Sequence, residues 1–558
     1  MSQQAKQMLD RHRETLDQAV EATTTREFWT PYPENSKKYP EESVKRAPER
    51  FEAMLKQHYA LKVPAVAGQV GGEMSPYGFE LGLTYDQPEQ GALIEAMQAA
   101  MPAWRDAGGE ARVGVCLEIL ARLNAMSPDI AQAVMHTSGQ GPLMAFQAGG
   151  PHAQDRGLEA VAYAWQAMSQ VPATAKWVKP QGKHDPLVME KRFHIVPRGI
   201  SLVVACSTFP TWNTYPGLFA SLATGNPVIL KPHPTAILPL AMTARVAQEV
   251  LEEAGFDPCL VSLVPDAAAA PVTKALALDP AVKLIDFTGS NAFGEWLEQN
   301  ATQARVFTEK AGINTVILDS VEQIKPVAQN LAFSLSLYSG QMCTTPQAIY
   351  VPKSGIQTAE GALSFDEVAG ALAKAVERFL SDNDRACTVL GAIQSPATAA
   401  RLDECRGLGE VLLDSEPREH ARFPEARIHT PLLLKVDAAQ KEAYSEERFG
   451  PISFVIATDG TAHSIELARE IIREKGAITL GAYTTDDAVA EQFEELAMEV
   501  AAPLSLNLDG GILVNQSAAF SDFHATGGNP AANASLCDQA FVTPRFVVVQ
   551  SRRHARSE

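Results

Sequence analysis

The sequence predicts an α/β protein: two helix-flanked parallel sheets in succession, with a small β element set apart from both. Three observations carry this. Short apolar runs alternate with helical stretches from about residue 199 to 290. A second alternating set begins near Ala311. A late strand-like tail, "RFVVVQS", falls outside both alternations.

The elements follow in order. Residues 22 to 48, "ATTTREFWTPYPENSKKYPEESVKRAP", are rich in Pro and charge and read as an irregular surface segment after one short helix. Residues 91 to 136 read as helical, with Val113, Cys116, Leu120 and Leu123 on one face. Ser127-Pro128-Asp129 opens another helix, and Gly139 ends it. Residues 175 to 198 read as a two-stranded excursion around a Pro-Gln-Gly turn. "GISLVVAC", "NPVILKP", "CLVSLVP" and "VKLIDFTGS" are the strands of the first set, with a helix from about Thr235 to Ala254 closed by Gly255. "NTVILD", "QAIYVP", "ISFVIAT" and "AITLGAY" are those of the second. The tail is expected to pair with the 175–198 excursion or with a second subunit.

Composition narrows the class. Of 558 residues, 46% are hydrophobic and 20% charged, as in a globular protein of several domains. A net charge of −19 argues against a nucleic-acid-binding surface. No apolar run approaches the roughly 18 residues of a membrane span. The first residues carry no apolar core after their charges, so no secretory signal is expected. Seven widely spaced cysteines without a C-x-x-C suggest neither a metal site nor a disulfide framework, and a reducing cytoplasm is expected.

Four segments carry chemistry. "TFPTWNTYPG" follows a strand, where ligands of open sheets bind, and its Asn213 amide could serve a developing oxyanion; a turn-forming Asn is the plain alternative. "GNPVILKPHP" brings Lys231 to a strand's carboxyl end, facing a phosphate, a ribose or simply solvent. "FTGSNAFGEW" runs from a strand through Gly289 and Ser290 into a helix, whose free N–H groups suit a pyrophosphate, though an ordinary Ser cap needs no ligand. "FTEKAGINTVI" holds Glu309, either a water-activating carboxylate or a surface ion-pair partner of Lys310 or Arg305. It is followed by "YSGQMCTTP", where Cys343 is either a small buried side chain or a nucleophile.

Their order resembles the aldehyde dehydrogenase superfamily over roughly residues 90 to 550. The likeness rests on "WNTYP", "GNPVILKP", "FTGS" followed by Gly294, "GQMC" and "EERFGP". Within the superfamily the chain is similar to the phenylacetic acid degradation branch, through "HRETLDQAVEATTTREFWTPYPE", "STFPTWNTYPGLFASLATGNPVILKPHP" and the short "EKAGIN". The resemblance implies a Rossmann-type cofactor domain (76–310, with the excursion 175–198 for oligomerisation). It also implies a catalytic domain (311–510), a C-terminal return and oligomerisation strand (511–558), and an N-terminal extension (1–75). Related bifunctional enzymes carry a further hydratase domain, which is not expected here.

The implied reaction oxidises an aldehyde to an acid. Cys343 attacks as thiolate, Asn213 holds the oxyanion, and Glu309 activates water against the thioester. Cofactor contacts are implied for Pro210, Lys231, His233, Gly289, Ser290, Glu447 and Phe449. Pro234 stands where NAD-preferring members carry a ribose-binding Glu, so NADP is expected over NAD, with His233 and Lys231 as possible partners of its 2′-phosphate. The implied substrate is a semialdehyde on a coenzyme A thioester, and the implied assembly a homodimer or larger. Two rivals remain: an acylating enzyme that passes the acyl group to coenzyme A, against which Glu309 argues, and a cofactor-free cysteine acyl hydrolase. The latter needs a histidine for Cys343; His524 and His136 are available, neither in a hydrolase signature. A non-catalytic binding protein is disfavoured by the intact Cys343, Asn213 and Glu309.

Overall fold

A computed structural model describes residues 3–555. The outermost residues of the expected N-terminal extension (1–2) and C-terminal segment (556–558) lie outside the described residues. The first sheet has five parallel strands in the order Arg305–Glu309, Val282–Thr288, Ile200–Val204, Val228–Lys231, Val261–Leu263. Val228–Lys231 and Val261–Leu263 are buried at every position. Strands covered by helices on both faces need such continuous apolar runs. The chain adds two strands on one side of Ile200–Val204 and then two on the other. The carboxyl ends of Ile200–Val204 and Val282–Thr288 therefore flank the switch point, where open sheets hold ligands.

The second sheet has seven strands: Glu410–Leu413, Leu432–Asp437, Ile452–Thr458, Ala348–Pro352, Thr315–Leu318, Leu480–Tyr483, Leu504–Leu506. All neighbours are parallel except the first pair. The four strands read from the sequence form its centre. The outer three escaped that reading: "LLLKVD" is an apolar run that periodicity alone cannot separate from helix, and the edge strands are short.

The N-terminal region differs from expectation. Its first helix is long, Gln3–Thr25, and buries Met8, Leu9, Leu16 and Ala19 in the main core. It crosses helix Gly108–Ala125 at Gly114, where a Cβ would stand 2.8 Å from the Ala5 carbonyl oxygen. Residues 41–48, the end of the segment read as irregular, open helix Glu41–Met54. Only Ala47 and Phe51 of it are buried, so it has no apolar stripe to read; two acids open its first turn, and Lys45–Glu41 and Arg46–Glu42 pair along it.

The excursion is the hairpin Thr174–Gln181/His184–Pro197, with Gly182 at φ +63° in its turn. The tail strand Phe546–His554 pairs antiparallel with His184–Pro197, from Phe546 opposite Pro197 to His554 opposite Met189. Its start is anchored by Arg545, fully buried, which donates to both Asp286 carboxylate oxygens at 2.6 and 2.8 Å and to Ser221 Oγ at 2.8 Å. Truncating one partner of such a pair strands the other's charge. Arg545→Ala is expected to cost about 3–5 kcal/mol in urea unfolding monitored by circular dichroism; a loss below about 1 kcal/mol would show that the pair anchors nothing.

Candidate active site

The turn ahead of Cys343 is built from backbone that most residues avoid. Tyr338, Ser339 and Gly340 all have positive φ, at 54°, 49° and 64°. Such strain persists only where surrounding contacts enforce it. Here the Tyr338 hydroxyl donates to the Ser138 carbonyl and Ser339 Oγ to the Leu390 carbonyl at 3.1 Å. Gly340 lies against Gly450: a Cβ at Gly340 would sit 2.4 Å from the Gly450 oxygen. The G-Q-x-C segment thus needs its glycine to pass the backbone of the E-E-x-F-G-P segment, while a Cβ at Gly450 would meet Thr398 Cγ2 at 2.8 Å. Gln341 is buried and donates to the Tyr338 and Ala392 carbonyls, and its own oxygen accepts from Gln394 N–H. Asn314 completes the frame. Its Nδ2 donates to the Cys343 carbonyl at 2.7 Å and the Thr345 carbonyl at 3.1 Å, while its Oδ1 accepts from Ile478 and Thr479 N–H.

Cys343, Glu309 and Asn213 come together at the switch-point end of the first sheet. Glu309 ends strand Arg305–Glu309 and is buried; Asn213, in the turn after Ile200–Val204, donates from Nδ2 to its Oε2 at 3.2 Å. A fourth side chain joins them. His524 Nε2 lies 3.5 Å from Cys343 Sγ and 3.3 Å from Glu309 Oε1. The ring is buried, with Trp212 edge-on at 4.8 Å, and its backbone is bridged to Leu536. His136, the other histidine considered, lies elsewhere, stacked on Phe51 in an aromatic cluster, and burial lowers it to about 3.

Electrostatics follow from this packing. Burial and then the Glu309 carboxylate push the Cys343 thiol well above its ordinary range. For Glu309, burial acts upward, but His524, the Cys343 thiol and the Asn213 amide together hold its carboxyl below the usual value. A cavity of about 20 Å³ lined by Asn213, Thr288, Thr308 and Glu309 adjoins the acid and has room for one water. The donor atoms of Glu309, Cys343 and His524 all lie within 4.8 Å of one another, a spacing that zinc ligands also show. No metal site was expected from the sequence, and these three atoms are also where the covalent chemistry would fall.

The remaining expected residues ring the same end of the first sheet or reach it from the second domain. Pro210 is buried in the turn, its carbonyl accepting from Thr214 Oγ1 at 2.6 Å. Gly289 follows Val282–Thr288, and a Cβ there would strike the Phe287 ring at 2.7 Å. Ser290 sits at the N-cap of helix Asn291–Asn300 without a side-chain capping bond, and its hydroxyl is exposed. This frees both hydroxyl and helix terminus for an anion, so the site fits a dinucleotide pyrophosphate. Glu447 is pushed up to about 7 by burial, against Arg401 and the Gly312 N–H. Phe449 is half-buried, its carbonyl accepting from Arg401.

Lys231 departs from expectation. Instead of standing free, its ammonium is buried and donates to Asp266 Oδ1 and the Pro232 carbonyl, both at 2.6 Å. Burial lowers its basicity against the pull of Asp266. His233 is lowered to about 4 by burial and Lys231, and its Nδ1 bonds Thr235 Oγ1 at 2.8 Å.

Sequence reasoning missed Asn314 and Asp266 and gave His524 no place beside Glu309. Asn314 opens "NTVILD" and Asp266 follows "CLVSLVP", so each sat at the edge of a strand already read. His524, in "FSDFHATGG", carries no local signal.

A family model described as "Aldehyde dehydrogenase family" matches residues 84–498. The crystal structure of an NAD-dependent aldehyde dehydrogenase from Burkholderia multivorans is 54% identical, covers 100% of both chains and superposes with a TM-score of 0.97. The chain belongs to the aldehyde dehydrogenase family. Vanillin dehydrogenase of Pseudomonas fluorescens is 25% identical over 68% of this chain and 74% of its own. A 1-pyrroline-5-carboxylate dehydrogenase from Thermus, solved with bound NAD, shares the fold at 18% identity and a TM-score of 0.73, covering 95% of this chain and 99% of its own.

Asn314→Ala leaves the Cys343 carbonyl and two N–H groups unpaired. The expected result is a kcat lowered at least about tenfold with little change in KM for cofactor. Steady-state kinetics on the folded variant check this, and an unchanged kcat removes the framing role.

Proposed function

We propose that the protein oxidises an aldehyde to its carboxylic acid, with Cys343 as nucleophile. The observation that carries this reading is the meeting of a half-buried Cys343 with the buried Glu309 and Asn213 in one cluster at the switch point. The thiolate adds to the carbonyl carbon. The resulting oxyanion takes the Asn213 amide, which Glu309 must release. Nicotinamide, when bound at the Ser290 end, supplies the hydride acceptor. Glu309 then takes a proton from water attacking the thioester, and the acid leaves.

NAD is the cofactor we infer, in place of the NADP expected from Pro234. A 2′-phosphate brought to Lys231 would also meet the Asp266 carboxylate, and neutral His233 adds no positive charge. The name of the Burkholderia relative agrees with this choice. The phenylacetate-derived, coenzyme A-linked substrate is supported by sequence resemblance alone. A reducing cytoplasm is the compartment we infer from the wide cysteine spacing. Among the described residues no helix is long and apolar enough to cross a membrane. A second copy of the chain is the partner we infer. Val178, Val547, Val548 and Val549 are exposed on the three-stranded sheet, which leaves Thr174–Gln181 and Phe546–His554 as open edges.

The hydrolase rival gains one observation, the histidine beside Cys343. Absorbance of reduced nicotinamide separates the two. Free and coenzyme A-linked aldehydes assayed with both cofactors are expected to yield reduced NAD in preference to reduced NADP, without added coenzyme A. Asn213→Ala should lower kcat by about 10²–10³ and Cys343→Ala should abolish turnover; product release without nicotinamide reduction would favour the hydrolase, and a strong NADP preference would remove the Asp266 argument.

If the Glu447 carboxylate holds the cofactor ribose, it must be ionised to do so. Its folded value of about 7 means the charged form is lost as pH falls through neutrality. KM for NAD should therefore rise on going from pH 8 to pH 6 in the wild type and stay flat in Glu447→Gln. Parallel profiles would take Glu447 out of the cofactor site.

A further inference from the structure

The thiol that must ionise lies beside a carboxylate that must remain ionised. Glu309 is buried and Cys343 half-buried, and two like charges this close repel strongly where water is scarce. A group that turns cationic between them would resolve the conflict. The group in that place is His524: one nitrogen, Nε2, faces both Cys343 Sγ at 3.5 Å and Glu309 Oε1 at 3.3 Å.

We propose that His524 is the proton acceptor for Cys343, so that the resting nucleophile is a thiolate–imidazolium pair flanked by the Glu309 carboxylate. This rests on the reading of Cys343 as the nucleophile. The S–H bond breaks and its proton passes to the Nε2 lone pair; the electron pair stays on sulfur. The neutral ring that accepts it carries its hydrogen on Nδ1, which is buried and meets no acceptor; that tautomer turns the Nε2 lone pair toward the Glu309 carboxylate, a repulsion that protonation at Nε2 removes. The imidazolium Nε2–H then points at sulfur and carboxylate together. After addition, hydride loss and attack by water, sulfur leaves as thiolate and finds the imidazolium still in place. The proton released overall comes from the attacking water through Glu309.

The surroundings keep the ring where this needs it. Trp212 abuts the ring edge-on, and beyond Trp212 the buried Arg156 guanidinium lies 5.3 Å from the indole, itself paired with Glu159 at 2.8 Å. Besides Glu309 and Cys343, the ionisable groups near the ring are Cys206, whose Sγ donates to Asn213 Oδ1 at 3.6 Å, and Asp522 on its own segment. The Cys206 thiol is itself pushed up to about 11, by burial first, and stays protonated. The Asp522 carboxylate accepts from Ala518 N–H at 2.8 Å.

The test reads the thiol directly. Full-length enzyme without cofactor, with a chelator present, is alkylated with iodoacetamide between pH 5 and 10, and modification of Cys343 is followed by mass spectrometry. The expected wild-type rate is already near its plateau at pH 7. His524→Gln, which keeps a polar side chain but cannot take the proton, should lower the pH 7 rate at least about tenfold and move the inflection above that of a free thiol, about 8.5. Aldehyde oxidation should fall with it while the Kd for NAD is unchanged. A wild-type inflection at or above about 8.5 overturns the pair whatever the variant does. So does a folded His524→Gln protein that is alkylated like wild type. Normal alkylation in an enzyme that oxidises no aldehyde would instead refute the functional reading and leave the pair standing.

Discussion

The site depends on one side-chain amide. Asn314 bonds at 2.7 Å to the carbonyl of Cys343, the nucleophile we propose. Through its other end it binds the start of strand Leu480–Tyr483, so nucleophile turn and second sheet share a single buried connector. A buried amide making four hydrogen bonds has no loose conformation to fall into. Tyr338 and Ser339 hold positive φ at a cost that the Tyr338–Ser138 and Ser339–Leu390 bonds offset, and Asn314 then fixes the carbonyl that follows them.

The first domain supplies the complementary part. Its acid stands at the end of strand Arg305–Glu309 and its amide in the turn after Ile200–Val204, with Val282–Thr288 between those strands, and the 3.2 Å bond from Asn213 to Glu309 joins them. Cys343 precedes strand Ala348–Pro352 of the second sheet, so the proposed site joins groups carried by both sheets.

Much of this was legible in the sequence. Central strands announce themselves as short apolar runs between helices, and the ordered segments around Asn213, Lys231, Ser290, Glu309 and Cys343 bring enough local pattern to be read together. What stayed hidden shares a physical character. Helix Glu41–Met54 is held by exposed charge rather than an apolar stripe, so periodicity misses it. Asp266 and Lys231 are separated by a helix and meet only because their parallel strands are neighbours. That meeting changes what Lys231 can do, and with it the inference drawn from Pro234. His524 is placed by a bridge to Leu536 and by Trp212, contacts that no spacing rule encodes.

The last strand has a bearing on how the molecule is made. Phe546–His554 closes on a hairpin laid down much earlier, and Arg545 reaches back to Asp286. Histidine 524 also arrives late. The tail strand and its buried arginine thus tie the hairpin to the first sheet across more than half of the sequence, so neither can take its final register before both have been made.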